Sequence, residues 1–471
     1  MHVHSTKKDW LAVLGSLAMF AMLLLASKLA HLPSWVGQSA MLVIAAVLGN
    51  ALGEISAHNK RFKLPEIVGW LGSGLALGFG AYVAHVHDFH VWMTGVVYAT
   101  IAEAGVALLL YHDAALPVDP KKMFRVKEQG LFLAISGIIL VFALCYKGAR
   151  ILVGLSHEDA IIWAFSQTPT GMAATVTSVG ADTLRTCHAC VIFMTTTFID
   201  DDAGLVNMQL MPVLAGGGGT GLDALKAAGK SLGLFALAFG VNFVLGKWVF
   251  SRIIRLVAER TNPQNPMLAL TRLMNIFAIL SGIIAKLIGQ SMVVGSFAAG
   301  LGLNEDEDAK PLIGGEYSKL KQVAKPEDIS PLKWVNPLAA TFFTAVAAEL
   351  DWSMLQNPNL ASKTFALTGI SLVSLFIAKM TAAFVLSLWY ERARPTWRFI
   401  AWMTYPRGEI ACVMANDAKV RFGSRMDSAI PGSTVLVVIL SSVLGAIMIK
   451  RAKNQLPPEL LNDEVASNPP A

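Results

Sequence analysis

Residues 191–210 read VIFMTTTFIDDDAGLVNMQL, an apolar stretch without Lys or Arg that holds three consecutive carboxylates, Asp200, Asp201 and Asp202. With the residues from Cys187 onward, it is long enough to cross a bilayer as a helix. Each Asp in the middle of a membrane helix opposes insertion by about 2.5–3.5 kcal/mol, and three oppose it by about 8–10 kcal/mol unless something solvates or pairs them. A helix that only packs has no reason to carry that cost. The cluster is therefore expected to face a bundle interior or a wet cavity and to mark a functional site. A position at a helix end is disfavoured, because apolar sequence continues on both sides.

The rest of the chain fits a membrane setting. Of 471 residues, 54% are hydrophobic and 15% charged, and the mean hydropathy is +0.55. Soluble domains carry about 25% charged residues. Apolar spans are expected near 10–31, 35–57, 66–84, 91–112, 130–150, 158–180, 186–210, 231–255, 267–289, 291–304, 334–352, 362–389, 398–420 and 429–449, about 14 in all. The sequence thus predicts one all-α polytopic membrane protein. Its net charge of +6 is no nucleic-acid signature, because Lys and Arg sit in short loops between spans. The basic side holds the N-terminus, residues 60–63, the loop with Lys121, Lys122, Arg125 and Lys127, and the C-terminal tail, so both termini are expected in the cytoplasm of a cell with this protein in its inner membrane. The first span, preceded by Lys7 and Lys8, is read as a retained helix because no small-x-small cleavage site follows it.

Several tempting signals carry little. Gly229-Lys230-Ser231 resembles a phosphate loop, yet Ala224 stands where the first glycine belongs and no strand precedes it, so no nucleotide is expected. The four cysteines, Cys145, Cys187, Cys190 and Cys412, lie in or beside spans and suggest no disulfide framework. The Cys187-x-x-Cys190 spacing is read as helix packing. His85, His87 and His90 are read as a solvated external loop. The 305–333 stretch reads as an amphipathic loop on the cytoplasmic surface, and residues 215–221 as a glycine-rich external linker. No cofactor is implied.

Two spans are interrupted alike. The 158–180 span contains Gln167-Thr168-Pro169-Thr170-Gly171, and the 398–420 span contains Tyr405-Pro406-Arg407-Gly408-Glu409. Each Pro-x-Gly removes a backbone donor in mid-membrane. Unwound backbone at that depth survives only where protein buries it or it lines a cavity. The breaks are an odd number of spans apart, so the two helices run in opposite directions. That points to an inverted-repeat transporter with two crossed broken helices and an ion site where they meet. Lys379, in LVSLFIAKMTAAFVL, has no acid on its own helix, and a buried ammonium must lose its proton or find a carboxylate. Arg407 and Glu409 flank the second break. For Glu103, Glu349 and Asp351, packing or an interface is at least as good a reading as transport.

At this point the residues resemble a family. LPEIVGWLGSGLALG at 64–78, IAEAGVALLLYHDAAL at 101–116, FIDDDAGL at 198–205, GSFAAGLGL at 295–303, TFFTAVAAELD at 341–351 and PRGEIACVMA at 406–415 look like the monovalent cation/proton antiporters of the bacterial sodium/proton exchanger type, over roughly residues 40–450. The resemblance implies a homodimer. It further implies a dimerisation domain at 35–112 and 267–352, a moving core at 130–210 and 362–449, a linker helix at 231–255, an extra helix at 1–34 and a short tail at 450–471.

In the electrogenic two-aspartate branch, the Ile-Asp-Asp-x-x-Gly-Leu pattern matches Ile199, Asp200, Asp201, Gly204 and Leu205. Asp201 is then the implied sodium- and proton-binding carboxylate, and Asp200 the partner of Lys379. Thr168 falls at the polar position of the first break, and Arg407 with Glu409 matches the family's Arg-Gly-Glu. Asp202 departs from the pattern, and by helical geometry it points about 200° away from Asp200. The glutathione-gated potassium efflux branch adds a soluble nucleotide-binding domain, which is not expected with a tail this short.

The implied activity is exchange of a cation, sodium before lithium or potassium, for protons across the bilayer. One carboxylate holds a proton or a dehydrated cation but not both, and the core crosses only when occupied. Thr168 and freed carbonyls would add neutral oxygens. A potassium/proton antiporter or a cation channel of the same fold are the alternatives, with an intramembrane aspartyl protease as a remote one. That protease needs acids on two helices, one in Gly-x-Gly-Asp, and Gly300-Leu301-Gly302-Leu303 lacks the Asp. No enzymatic activity is expected.

Overall fold

The computed structural model describes residues 2–30, 34–57, 66–86, 89–94, 96–115, 120–171, 187–215, 221–260, 266–305, 336–348 and 352–461, with 175, 178, 179, 183 and 350 besides. Among these residues the chain is helical and holds no strand. Helices follow from the solvent: with no water in the hydrocarbon core, each backbone group must find its partner within its own segment.

In order these are α1 His2–Ala30, α2 Ser34–Ala57, α3 Glu66–Val83, α4 Phe89–Thr94, α5 Val96–Ala115, α6 Pro120–Arg125, α7 Lys127–Gly148, α8 His157–Ser166, α9 His188–Ala215, α10 Gly221–Val244, α11 Ser251–Arg260, α12 Pro266–Leu287, α13 Met292–Glu305, α14 Asn336–Ala348, α15 Pro358–Trp389, α16 Trp397–Met403, α17 Glu409–Phe422, α18 Ala429–Asn454 and α19 Pro458–Leu461. The spans expected from hydropathy fall on these helices with ends displaced by a few residues. The expected 91–112 span falls on α4 and α5, with residue 95 between them outside the described residues. The 398–420 span is divided into α16 and α17 at Pro406–Gly408. The 158–180 span ends its first half at Ser166, and most of its second half lies outside the described residues. So do the 305–333 loop apart from Glu305, the 216–220 linker, Glu349, Asp351, His87, the His90 side chain and the tail beyond Leu461.

Helices α2, α3, α5, α12, α13 and α14 pack on one another, and α7, α8, α9, α15, α16, α17 and α18 form a second packed group. Helix α10 touches α9 of the second group and α13 of the first, and α3 meets α18. The outer faces are apolar: Ile135 and Ile139 on α7 and Val373, Phe376 and Ile377 on α15 are exposed. Lipid tails are as apolar as these side chains, so helix contacts here gain from close packing and small residues. The π-helical turn Leu245–Phe250 joining α10 to α11 shows this with α13. A Cβ on Gly246 would stand 2.1 Å from the Ala299 carbonyl oxygen, and one on Gly302 would stand 2.2 Å from that of Phe243.

The N-terminal helix is part of the packing. Phe20 meets Phe89 edge-on, ring centroids 6.1 Å apart.

Candidate ion site

The two breaks meet. Gly171 N–H donates to the Pro406 carbonyl at 2.8 Å, the one backbone bond between the unwound segments among the described residues. No side chain fits between them. A Cβ on Gly171 would lie 2.7 Å from the Arg407 carbonyl carbon, and one on Gly408 would lie 2.6 Å from the Gly171 Cα. Pro169 and Pro406 explain why each helix stops, and Gly171 and Gly408 explain how closely the stops approach.

Each break satisfies the other's open carbonyls. Past the C-terminal end of α8, where the helix dipole is negative, the unwound chain carries carbonyls that have no helical partner. Arg407 Nη1 donates to the Thr168 carbonyl at 3.2 Å and to the Pro169 carbonyl at 2.6 Å. In return Thr175 Oγ1 donates to the carbonyl of Met403, the last residue of α16, at 2.7 Å. Ser441 and Ser442 of α18 hold the Arg407 backbone, Ser441 Oγ accepting from its N–H at 3.0 Å and Ser442 Oγ donating to its carbonyl at 3.2 Å. Arg407 is fully buried, and its guanidinium makes no ion pair with a described carboxylate.

Helix α9 passes the crossing at Gly204. A Cβ there would press on Ile410 Cγ2 at 2.9 Å and Pro169 Cγ at 3.0 Å. One turn earlier stand Asp200 and Asp201, 1% and 3% exposed. Lys379 Nζ, on α15, donates to Asp200 Oδ2 at 3.2 Å, with both side chains almost wholly buried. Room for the ammonium comes from α7, where a Cβ on Gly137 would fall 2.7 Å from Nζ. The expected pairing of Asp200 with Lys379 is thus present in the structure. The side chains of Asp202 and Glu409 lie outside the described residues.

The threonines divide differently from the sequence reading. Thr168 Oγ1 donates to the Phe165 carbonyl at 2.8 Å and accepts from Asn207 Nδ2 at 3.4 Å. It is Thr170 that reaches the charges. Its hydroxyl donates to Asp200 Oδ2 and accepts from Lys379 Nζ at 3.3 Å and Arg407 Nη1 at 3.2 Å. Thr170 and Asn207 were absent from the expected site. Both are polar residues in buried segments, which is the only signal that marks them in the sequence.

Glu103 lies elsewhere. Its carboxylate pairs with Lys286 at 2.6 Å and accepts from the Met292 N–H at 3.1 Å, capping the start of α13. It lines a cavity of about 590 Å³ that also touches Tyr98, Gln290 and Phe342 on one side and Met208, Val413 and Asp417 on the other. Met208 is on α9, seven positions after Asp201, about 10 Å along the helix axis.

The family model "Sodium/hydrogen exchanger, transmembrane" matches residues 42–452. The chain belongs to that family. It is an integral membrane transporter of monovalent cations and protons, not an enzyme. The sodium/hydrogen exchanger relatives include the high-affinity Na(+)/H(+) antiporter NhaS3 of Synechocystis, 22% identical over 74% of this chain and 69% of that one. The Na(+)/H(+) antiporter of Enterococcus hirae is 21% identical over 88% of this chain and 97% of that protein. The glutathione-regulated potassium-efflux protein KefC of Klebsiella aerogenes is 24% identical over 88% of this chain, which spans only 59% of that relative. The solved sodium proton antiporter MjNhaP1 of Methanocaldococcus jannaschii shares the fold, with a TM-score of 0.63 at 16% identity over 91% of this chain and 100% of that one.

Proposed function

We propose that this protein exchanges sodium for protons and moves net charge in doing so, with Asp201 as the shared ion and proton site. The observation that carries the reading is the buried Lys379–Asp200 pair beside the crossed breaks, with a second buried acid, Asp201, next to it. Asp201 alone would trade one cation for one proton and move no charge. The charged groups around it change that balance. With Asp200, Asp201, Lys379 and Arg407 all ionised, the site is formally neutral. Sodium at Asp201 adds a positive charge in a low-dielectric setting, and a proton must leave to restore neutrality. A guanidinium does not release one at accessible pH, whereas a lysine does. Two protons, one from Asp201 and one from Lys379, then leave for each sodium bound.

Alternating access follows if the second helix group moves against the first, carrying α9 past the cavity that Met208 lines. The first group is then the dimerisation side of a homodimer, and α10 with α11 the linker. The basic-loop count supports an inner-membrane protein with both termini in the cytoplasm.

Potassium is the second reading, favoured by the resemblance to KefC and to K(+) efflux antiporter 5 of Arabidopsis thaliana, 26% identical over 62% of this chain and 47% of that one. Proteoliposomes with an imposed pH gradient, presented in turn with sodium, lithium and potassium, separate the two. Sodium-driven proton movement is expected. Cation flux that moves no protons would make the protein a channel and end the proposal.

A further inference from the structure

Three charged side chains converge on one hydroxyl. Thr170 Oγ1 gives its only proton to Asp200 Oδ2, and its lone pairs face Lys379 Nζ at 3.3 Å and Arg407 Nη1 at 3.2 Å. All four side chains are 2% exposed or less. Asp200 and Arg407 still have hydrogen-bonding capacity in hand. Among the described residues nothing donates to Asp200 Oδ1, and Arg407 Nε and Nη2 find no acceptor. Asp200 thus has one direct counter-ion, Lys379, and a second cation one hydroxyl away. Around this group the titratable neighbours are Asp201 on α9, Cys145 on α7 and Tyr405 at the second break, and α7 also presents Gly137 to Lys379.

We propose that Thr170 is a positioning residue that holds Asp200 between two cations, so that Arg407 compensates it once Lys379 gives up its proton. This rests on the exchange reading above. In the proton-loaded state Lys379 compensates Asp200 directly, and Thr170 adds little. In the cation-loaded state Lys379 is neutral, and Asp200 would be a buried carboxylate without a partner, a strongly unfavourable arrangement. Arg407 is permanently charged but committed through Nη1 to the Thr168 and Pro169 carbonyls of the first break, and it hydrogen-bonds toward Asp200 through the Thr170 hydroxyl. The proton that leaves Lys379 goes to water on the open side; Thr170 neither gains nor loses one. Its effect therefore falls on cation binding more than on the rate of crossing.

The test is sodium-driven proton movement in proteoliposomes for the wild type, Thr170→Val, Thr170→Ala and Thr170→Ser, with KM and kcat separated. Losing a hydrogen bond to a charged group is worth a factor of about ten or more, so Thr170→Val is expected to raise the sodium KM about tenfold or more with a smaller change in kcat. Thr170→Ser restores the hydroxyl and should bring the KM back to within about twofold of wild type. Should Thr170→Val fail to give a monodisperse protein, Thr170→Ala carries the same expectation. A KM unchanged in the Val or Ala variant overturns the proposal. So does a Ser variant as impaired as Val, which would assign the effect to packing. A wild type that moves no protons with sodium overturns the exchange reading, and the proposal falls with it.

Discussion

Alanine at Gly171 tests whether the crossing of the breaks is as tight as it looks. A Cβ there would stand 2.7 Å from the Arg407 carbonyl carbon, 2.8 Å from its oxygen and 2.8 Å from the Gly408 nitrogen. All three are backbone atoms, so no side-chain rotation relieves the clash. Ordinary contact begins near 3.4 Å, which requires the segments to part by roughly half an ångström or more. That separation stretches the 2.8 Å bond from Gly171 N–H to the Pro406 carbonyl toward its limit. Overpacking costs about 1–3 kcal/mol and a weakened backbone bond about 0.5–1.5 kcal/mol, giving about 2–4 kcal/mol together. Gly72→Ala and Gly369→Ala are the controls, since a Cβ at either meets nothing within 4 Å. Both should melt with the wild type or slightly above it, because alanine favours helix over glycine. Thermal unfolding of detergent-solubilised protein should place Gly171→Ala several degrees below them, with sodium-driven proton movement lost or much reduced. A Gly171→Ala variant that melts and transports like the controls would refute the crossing geometry.

Asp201→Asn keeps the shape but cannot cycle a proton, so exchange should vanish while yield and melting temperature hold; near wild-type exchange would mean another acid carries transport. Lys379→Gln should leave weak exchange that ignores an imposed potassium/valinomycin potential, and a wild type equally indifferent to that potential would show the cycle to be neutral. Glu103→Gln loses the exposed pairing with Lys286 but can still accept from the Met292 N–H, so a change in stability under about 1 kcal/mol and retained exchange are expected. Abolished exchange in that variant would move Glu103 into the ion path.

What the sequence showed and what it hid divide along physical lines. The interrupted spans were legible because Pro and Gly act on their own backbone, and mid-membrane Pro-x-Gly has few other readings. The partnership of Asp200 and Lys379 was legible because charges in hydrocarbon must find each other, and few candidates stand in the spans. Thr168 and Thr170 were not separable. They flank Pro169 in unwound chain, which has no period from which to infer a face. Sequence reasoning favoured Thr168, whereas the hydroxyl on the charges is that of Thr170. Glu103 and Lys286 are 183 positions apart, and no local pattern joins them. By position Arg407 belongs to the second break, beside Glu409. Its Nη1 caps carbonyls of the first break instead, because a helix that stops inside the bundle leaves acceptors that need a donor as much as a carboxylate needs a cation.

That last substitution of partners explains why the breaks come as a pair. A single unwound segment at this depth would leave the Thr168 and Pro169 carbonyls facing hydrocarbon or trapped water. With two crossing, Arg407 of one break answers the carbonyls of the other, and Thr175 answers Met403 in the reverse sense. Neither break is well satisfied without its mate, so neither can rewind alone, and the crossing holds together as a unit. Rigidity there matters for exchange, because a site that deformed on losing its ion would open to both sides and leak. The charges then sit on a frame whose polar groups are largely committed. Thr170 and Asp200 are the points where that commitment is divided between two cations, and the proposed exchange would register a change of bound ion there without unwinding the frame.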